Sequence, residues 1–190
     1  MRILVTGSSG HLGDALVRTL RAEGHAVVGL DILPSATTDV VGCISQREVV
    51  QASMAGVDAV LHTATLHKPH VATHTRQQFV DTNITGTLNL LEEAVAQRVG
   101  SLVFTSTTSA FGDALAPPPT LPAAWITEDV VPEPKNIYGV TKCAAEDLCR
   151  LFHRLHGLPV LVLRTSRLTI FRACAGGPPR WWPSGCRVRP

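Results

Sequence analysis

The chain has 190 residues, 45% of them hydrophobic and 17% charged, a balance that belongs to globular proteins and excludes a disordered chain. Lys and Arg number 17 against 15 Asp and Glu, a formal net charge of +2 that gives no basis for a nucleic-acid partner. The longest apolar stretches, Ala26 to Leu30 and Val160 to Leu163, fall far short of the ~18 to 20 residues of a membrane span.

The chain opens on Ile3-Leu4-Val5, and a Gly/Ser turn follows at once. The apolar region of a signal peptide needs ~7 to 15 residues, so this run is the start of a strand and a cytoplasmic protein is expected. Further strands are predicted at residues 26–30, 40–44, 59–63, 101–105 and 159–163, all dense in Val, Ile or Leu, as strands covered on both faces are. Between the first two, Leu12, Ala15, Leu16 and Leu20 recur at helical spacing opposite Arg18, Arg21 and Glu23, and Gly24 stops the pattern. A second helix is predicted from Gly86 through Gln97, with Leu88, Leu91 and Val95 as its apolar stripe, and a third from about Tyr138 to His156. This alternation is the βαβ rhythm of a parallel sheet.

The segment from Gly112 to Pro134, with Pro117-Pro118-Pro119 inside it, keeps no period and reads as a long loop of the kind that serves as a lid or binding segment. Beyond Leu163 come Arg164, Arg167, Arg172, Arg180, Arg187 and Arg189 and no acid. A basic stretch with Trp181 and Trp182 can bind an acidic surface or nucleic acid. The reading preferred here is an irregular tail over 168–190, a truncated or out-of-frame end that is poorly ordered from about Arg172. Five cysteines, Cys43, Cys143, Cys149, Cys174 and Cys186, are odd in number and form no C-x-x-C pair, so neither a disulfide framework nor a zinc ribbon is supported.

The first strand runs into Gly7-Ser8-Ser9-Gly10-His11-Leu12-Gly13, a G-x-x-G-x-x-G turn that opens the first helix. Glycines serve where the backbone bends sharply, where a pyrophosphate approaches the main chain and where helix and strand pack closely, and the helix N-terminus favours an anion. A phosphate loop for nucleoside triphosphates needs Lys then Ser or Thr after its last glycine, and Asp14 stands there instead. Asp31 follows the second strand about twenty residues on, where a carboxylate accepts from an adenosine ribose and repels a 2′-phosphate; a turn or capping Asp is the alternative. Tyr138 and Lys142 lie four residues apart at the start of a helix, roughly 6 Å along one face at ~1.5 Å per residue. A phenol of pKa ~10 works as a base near neutrality only beside a cation, which Lys142 can supply.

On these residues the chain resembles the extended short-chain dehydrogenase/reductases, in their NAD-dependent epimerase/dehydratase branch. The matching blocks cover about residues 1 to 167 and include Asp58-Ala59-Val60-Leu61-His62-Thr63-Ala64, Asn83-Ile84-Thr85-Gly86-Thr87 and Phe104-Thr105-Ser106-Thr107-Thr108-Ser109-Ala110-Phe111-Gly112. The resemblance implies a Rossmann-like, doubly wound parallel α/β sheet of order 3-2-1-4-5-6, with NAD across its carboxyl edge and Asn83 supporting the central helix. It implies cofactor contacts from Gly7, Ser9, Gly10, His11, Leu12, Gly13, Asp31, Cys43, Ile44, Thr63, Ala64, Thr65, Asn83, Thr105, Tyr138 and Lys142. The catalytic set it implies is Thr107, with Ser106 the neighbouring alternative, Tyr138 as base, and Lys142 holding the nicotinamide ribose and lowering the tyrosine pKa. The substrate would be a nucleotide sugar or similar secondary alcohol or ketone, with epimerase, dehydratase and reductase chemistry all open, and a homodimer through the helices flanking the site is an expected partner arrangement.

The chain departs from the family in two places. Gly42-Cys43-Ile44 stands where the family has Gly-Asp, so adenine recognition is left to backbone groups, and most of the C-terminal part that builds the substrate pocket is absent. The 190 residues are therefore expected to turn over little, and a non-catalytic NAD-binding or regulatory module is the alternative. His67, His70 and His74 are spaced as a metal pair can be, but no Glu or Cys nearby completes a set. They are read as polar lining of the phosphate or substrate side, with no metal.

Overall fold

The computed structural model describes residues 1–120, 122, 125–127 and 129–166; the tail expected at 168–190 lies outside them. Six parallel strands form one sheet in the order β3-β2-β1-β4-β5-β6: β1 (Arg2–Thr6), β2 (Ala26–Asp31), β3 (Val40–Val41), β4 (Ala59–His62), β5 (Ser101–Thr107) and β6 (Val160–Thr165). This is the expected Rossmann order, and it reverses between β1 and β4, where Thr6 pairs with His62. Crossovers on either side of such a reversal leave in opposite directions and open a crevice at the strands' carboxyl ends.

The helices are α1 (His11–Ala22), α2 (Arg47–Ser53), α3 (Arg76–Phe79), α4 (Gly86–Ala96) and α5 (Ile137–His156). The larger core lies on the face covered by α2, α4 and α5, where Leu4, Leu30, Val60, Leu90, Leu91, Leu102, Phe104, Ala145 and Phe152 are buried together. On the other face α1 brings Val17, Leu16 and Leu20 onto Ile3, Val5, Val27 and Leu61. The expectation that every strand is covered on both faces is corrected at β6, where Leu161 and Leu163 are 57% and 42% exposed. Among the described residues α1 is the long helix on that side, and it sits over β1 and β2.

Other differences from the sequence reading are local. The third strand ends at Val41 rather than at 44: the Gly42 N–H makes its last ladder bond, to the Asp31 carbonyl at 2.8 Å, and the chain then leaves for α2. Helical structure begins ten residues before Gly86: α3 starts at a capping box in which Thr75 accepts from the Gln78 N–H and the Gln78 side chain accepts from the Thr75 N–H. A π-helical turn over Val80–Thr85 then joins α3 to α4, and Asn83 sits within it.

The long loop is pinched at its base. Gly112 adopts φ +54°, an added Cβ there would run into the Glu133 carbonyl, and Asp113 N–H donates to that carbonyl at 2.9 Å while Glu133 N–H donates to the Phe111 carbonyl at 3.1 Å. Lys135 and Asp113 pair at 2.8 Å beside the pinch. At the other end of α5, Gly157 takes φ +68° and its N–H closes on the His153 carbonyl, the usual left-handed helix stop.

One buried side chain ties the centre of the sheet together. His62 Nδ1 lies 2.8 Å from Thr6 Oγ1, and Nε2 lies 3.0 Å from Thr87 Oγ1. Thr87 donates its proton to the Asn83 carbonyl at 2.7 Å, so its oxygen must accept from His62 Nε2–H, and Nδ1 in turn accepts from Thr6. Burial, with the field of Lys142, pulls the imidazole pKa down from 6.5 to about 3. The unfolded chain therefore binds a proton at this position that the folded chain refuses, so stability is lost as the pH falls from 6.5 towards 3. In urea titrations across that range, His62→Gln should flatten the acid slope by roughly 1 kcal/mol per pH unit; an unchanged slope would show that His62 is not the group that titrates.

Candidate active site

The glycine turn is built by close approach. Gly7 has φ +73°, and a Cβ on it would lie 2.7 Å from Ala64 N and 2.9 Å from Thr63 Oγ1; a Cβ on Gly13 would run into the Gly7 carbonyl. Gly7 N–H donates to the Leu30 carbonyl at 2.8 Å and Gly10 N–H to the Gly7 carbonyl at 3.0 Å. Gly10 caps α1 with no side chain to satisfy the first-turn N–H groups, which remain available to an anion.

Asp31 closes the turn from the end of β2: its carboxylate accepts from Ser9 N–H at 3.0 Å and from Leu33 N–H at 2.9 Å. Each oxygen keeps a further acceptor site, as a ribose-binding carboxylate requires. A cavity of about 410 Å³ runs past Gly7, Ser9, Gly10, His11, Leu12, Gly13, Asp31, Cys43, Ile44, Thr63, Ala64 and Thr65, so the structure gathers twelve of the predicted cofactor residues onto one wall system. Cys43 lies at the Asp31 end with its sulfur 3.1 Å from Ser45 Oγ. The glycine cradle, the bare helix end and the free acceptor sites of Asp31 fit a dinucleotide.

Asn83 and Thr105 stand behind this wall. Asn83 is buried; its carbonyl oxygen accepts from Thr65 Oγ1 and Leu66 N–H at 3.0 and 2.9 Å, and its amide donates to the Leu66 carbonyl and to Thr141 Oγ1, both at 3.0 Å. All four of its hydrogen-bonding positions are used within the protein. Thr141 passes the link on to the Tyr138 carbonyl at 3.0 Å, so one side chain couples the cavity floor to the helix that carries Tyr138. Thr105 uses its carbonyl to accept from Lys142 Nζ at 2.7 Å.

The choice between Ser106 and Thr107 follows from strand alternation. Both lie on β5, which runs two residues further than the sequence pattern indicated, and successive side chains point to opposite faces. Ser106 donates to Glu146, and Glu146 is held bidentately by Arg164, whose Nε donates to Oε1 at 3.0 Å and whose Nη2 donates to Oε2 at 2.7 Å. Thr107 accepts from Ser109 N–H at 3.1 Å and lies beside the phenol of Tyr138, whose pKa it lowers. Tyr138 is 8% exposed and enters α5 two residues after Asn136, whose side chain caps the helix by accepting from Gly139 N–H at 3.2 Å.

The electrostatics of Tyr138 and Lys142 correct one expectation. Burial raises the phenol pKa, and Thr107 opposes that rise. Lys142 is 2% exposed, its ammonium faces the Thr105 carbonyl and lies 4.4 Å over the Phe104 ring, and burial pulls its pKa down to about 7 against the fields of Cys149 and Glu146. The protein by itself thus keeps the phenol protonated and the lysine near half charge at neutral pH, where a lowered tyrosine pKa was expected.

The Glu146–Arg164–Ser106 cluster and the Thr6–His62–Thr87 chain were missed in the sequence. The signal for the first was present, since Glu146 follows Lys142 by one helical turn on the same face. A second cavity of about 780 Å³ lies beside this cluster, lined by Phe111, Val131, Pro132, Arg150, Val160 and Arg164 among others. Neither the glycine turn nor Tyr138 contributes to its lining. His67, His70 and His74 line the first cavity, and among the described residues no three His, Cys, Asp or Glu side chains are grouped as a metal site.

The profile of the NAD-dependent epimerase/dehydratase family matches residues 3–169. The chain belongs to that family. It is 35% identical over 185 residues to a dTDP-glucose 4,6-dehydratase of Streptomyces niveus, covering 86% of this chain and 53% of that protein. Among solved structures it is similar to a short-chain dehydrogenase/reductase superfamily protein from Agrobacterium tumefaciens with bound NAD, at TM-score 0.75 and 34% identity over 86% of this chain and 48% of that one. It is also similar to the UDP-glucose 4-epimerase of Thermotoga maritima with UDP-glucose, at TM-score 0.77 and 27% identity over 86% of this chain and 55% of that one. The chain spans about half the length of the relatives it matches. No helix among the described residues is long and apolar enough to cross a membrane.

The lysine supplies a check on this electrostatic picture. Its folded pKa of about 7 lies below the ordinary 10.5, so above pH 7 the unfolded chain holds a proton that the folded chain releases, and stability rises with pH. Cys149, pushed up from 9.0 to about 12, opposes this only above its unfolded pKa of 9.0. Between pH 7 and 9 the slope of unfolding free energy should therefore be positive and should flatten in Lys142→Met, measured by denaturant titration; equal slopes would mean that Lys142 keeps its charge.

Proposed function

We propose that residues 1–167 are the cofactor domain of an NAD-dependent oxidoreductase of the epimerase/dehydratase type, acting on a nucleotide sugar or similar secondary alcohol. The observation that carries this reading is the link through Asn83, which joins the cavity floor at Thr65 and Leu66 to Thr141 and so to the helix of Tyr138. A cofactor held by the glycine turn and a proton-transferring phenol are thereby fixed in one frame. NAD supplies a two-electron acceptor that takes a hydride from the alcohol carbon, or returns it, when bound.

The chain's own groups do the rest. Gly7, Gly10 and Gly13 admit the pyrophosphate to the main chain, and Asp31 takes the adenosine ribose through its remaining acceptor sites. Thr107 hydrogen-bonds the reacting oxygen beside Tyr138, and Tyr138, as the phenolate formed once its own proton has left to solvent, receives the hydroxyl proton as the carbon gives up its hydride. Lys142, one turn on, holds a charge that is easily taken up or released, and a proton arriving there favours the phenolate. The similarity to nucleotide-sugar enzymes of Streptomyces niveus and Thermotoga maritima supports a sugar nucleotide as substrate.

Titration of the chain with NAD and NADP, followed by calorimetry, tests the cofactor. NAD should bind at least several-fold more tightly, because a 2′-phosphate meets the Asp31 carboxylate as a like charge, and Asp31→Asn should narrow the gap; equal affinities for the unaltered chain would remove the Asp31 assignment. In a version of the protein extended by a complete C-terminal region, Tyr138→Phe should leave NAD affinity unchanged and lower sugar-nucleotide turnover by ~10² to 10⁴, with Thr107→Val milder in the same assay. Retention of full turnover in Tyr138→Phe would end the proposed chemistry.

A further inference from the structure

Among the described residues the walls of the dinucleotide cavity hold no Lys and no Arg; their charged and titratable groups are Asp31, Cys43 and four histidines, His11, His67, His70 and His74. A dinucleotide brings two negative charges on its pyrophosphate. The first-turn N–H groups of α1 supply dipoles but no net charge, so the only groups on these walls able to become cationic near neutrality are the imidazoles.

Three of those imidazoles form a contiguous edge. His67 and His70 meet edge to face at 4.3 Å between ring centroids, and His70 and His74 follow at 4.9 Å. The spacing is set by a 3-10 turn over Lys68–Ala72, with Pro69 in its first positions. His70 Nδ1 accepts from the His67 backbone N–H at 3.1 Å, so in the neutral ring the proton is on Nε2, leaving an N–H donor at the free end. The His70 N–H donates to the His67 backbone carbonyl at 2.8 Å, and His74 Nδ1 pairs with Thr73 Oγ1 at 2.9 Å.

We infer that this histidine edge is a proton-linked subsite for the cofactor's pyrophosphate: an arriving diphosphate meets imidazole N–H donors, and the edge takes up a proton as the diphosphate is bound. The inference rests on the cofactor reading above. The sign follows from linkage. In the free protein, burial lowers the pKa of His67 and of His70, and for His70 its two neighbours add to the effect, so these two rings give up their proton more readily than a free imidazole. A nearby diphosphate favours the charged form, and a group whose pKa rises on binding makes binding tighter as the pH falls. The other charged groups about this edge are Lys68 and Arg76 on its own segment, Asp81 on the following turn, held by Gln77 Nε2 at 2.7 Å, His11 on α1, and Asp31 and Cys43 beyond β2 and β3. Of these, Asp31 is the carboxylate on the cavity wall, and Ser9 and Leu33 N–H groups already bind it.

The test is isothermal calorimetry of the 190-residue chain with NAD, ADP and adenosine between about pH 6 and about pH 8, in buffers of different ionisation heat. NAD and ADP should bind about tenfold more tightly at the acid end, with about half a proton taken up on average across the range, and adenosine should be indifferent to pH. In His67→Gln/His70→Gln/His74→Gln, checked for native circular dichroism, the pH dependence and the proton uptake should vanish while adenosine binding persists. Should the triple variant fail to fold, His74→Gln alone, which leaves the His67–His70 cap intact, should still reduce the uptake. NAD binding that is flat in pH with no proton exchanged overturns this inference and leaves the cofactor reading standing, as does a pH dependence seen with UDP-glucose but absent with NAD. Failure of NAD to bind at any pH overturns both.

Discussion

His62 is the side chain on which the arrangement of this protein turns. It lies where the strand order reverses, its two ring nitrogens span from Thr6 on β1 to Thr87 on α4, and its neighbours extend the chain of hydrogen bonds to Asn83, Thr141 and the Tyr138 carbonyl. Every donor in that chain has a defined acceptor, and among the described residues no buried side-chain nitrogen or oxygen is left without a partner. A fully satisfied buried network tolerates few alternative packings, so the crevice between β1 and β4 and the start of α5 are held in one mutual orientation.

That constraint explains why the site divides into a rigid part and a titrating part. The glycines, Asn83 and Thr105 act through backbone geometry or through bonds that no moderate change of pH disturbs. Lys142, His67, His70 and Tyr138 are the groups whose hold on a proton burial changes, and each sits on the rigid frame rather than within it. Lys142 is the extreme case: a buried ammonium opposite a single carbonyl and an aromatic ring loses much of its preference for the proton, so its charge is adjustable rather than fixed.

Much of this was legible in the sequence because the motifs are local. The Gly7 to Gly13 turn, Asp31 after its strand, and the four-residue step from Tyr138 to Lys142 carry their geometry in their spacing, and the strand order followed from the family resemblance those motifs carry. What was not legible depends on partners far apart in the chain. Ser106 and Thr107 point to opposite faces of β5, and what each face meets, Glu146 and Arg164 in the case of Ser106, comes from residues far along the chain. The electrostatic state of Lys142 reflects complete burial, which a four-residue spacing cannot report. The early start of the helix before Gly86 was signalled by Thr75 and Gln78, a capping pair with no apolar period after it to draw attention, and α2 is too short for periodicity to reveal.

The pinch at Gly112 and Glu133 separates the long loop from the frame it springs from. Its two ends are joined by main-chain bonds, so the distance between Phe111 and Pro134 does not depend on what lies between them. Closing a longer flexible segment over such a fixed base costs only about 0.6 kcal/mol for each doubling of length. The surface above β5 and α5 can accordingly be lengthened, shortened or rewritten without disturbing Thr107 below one foot of the loop or Asn136 and Tyr138 beyond the other. The architecture lets specificity drift while the chemistry stays in register.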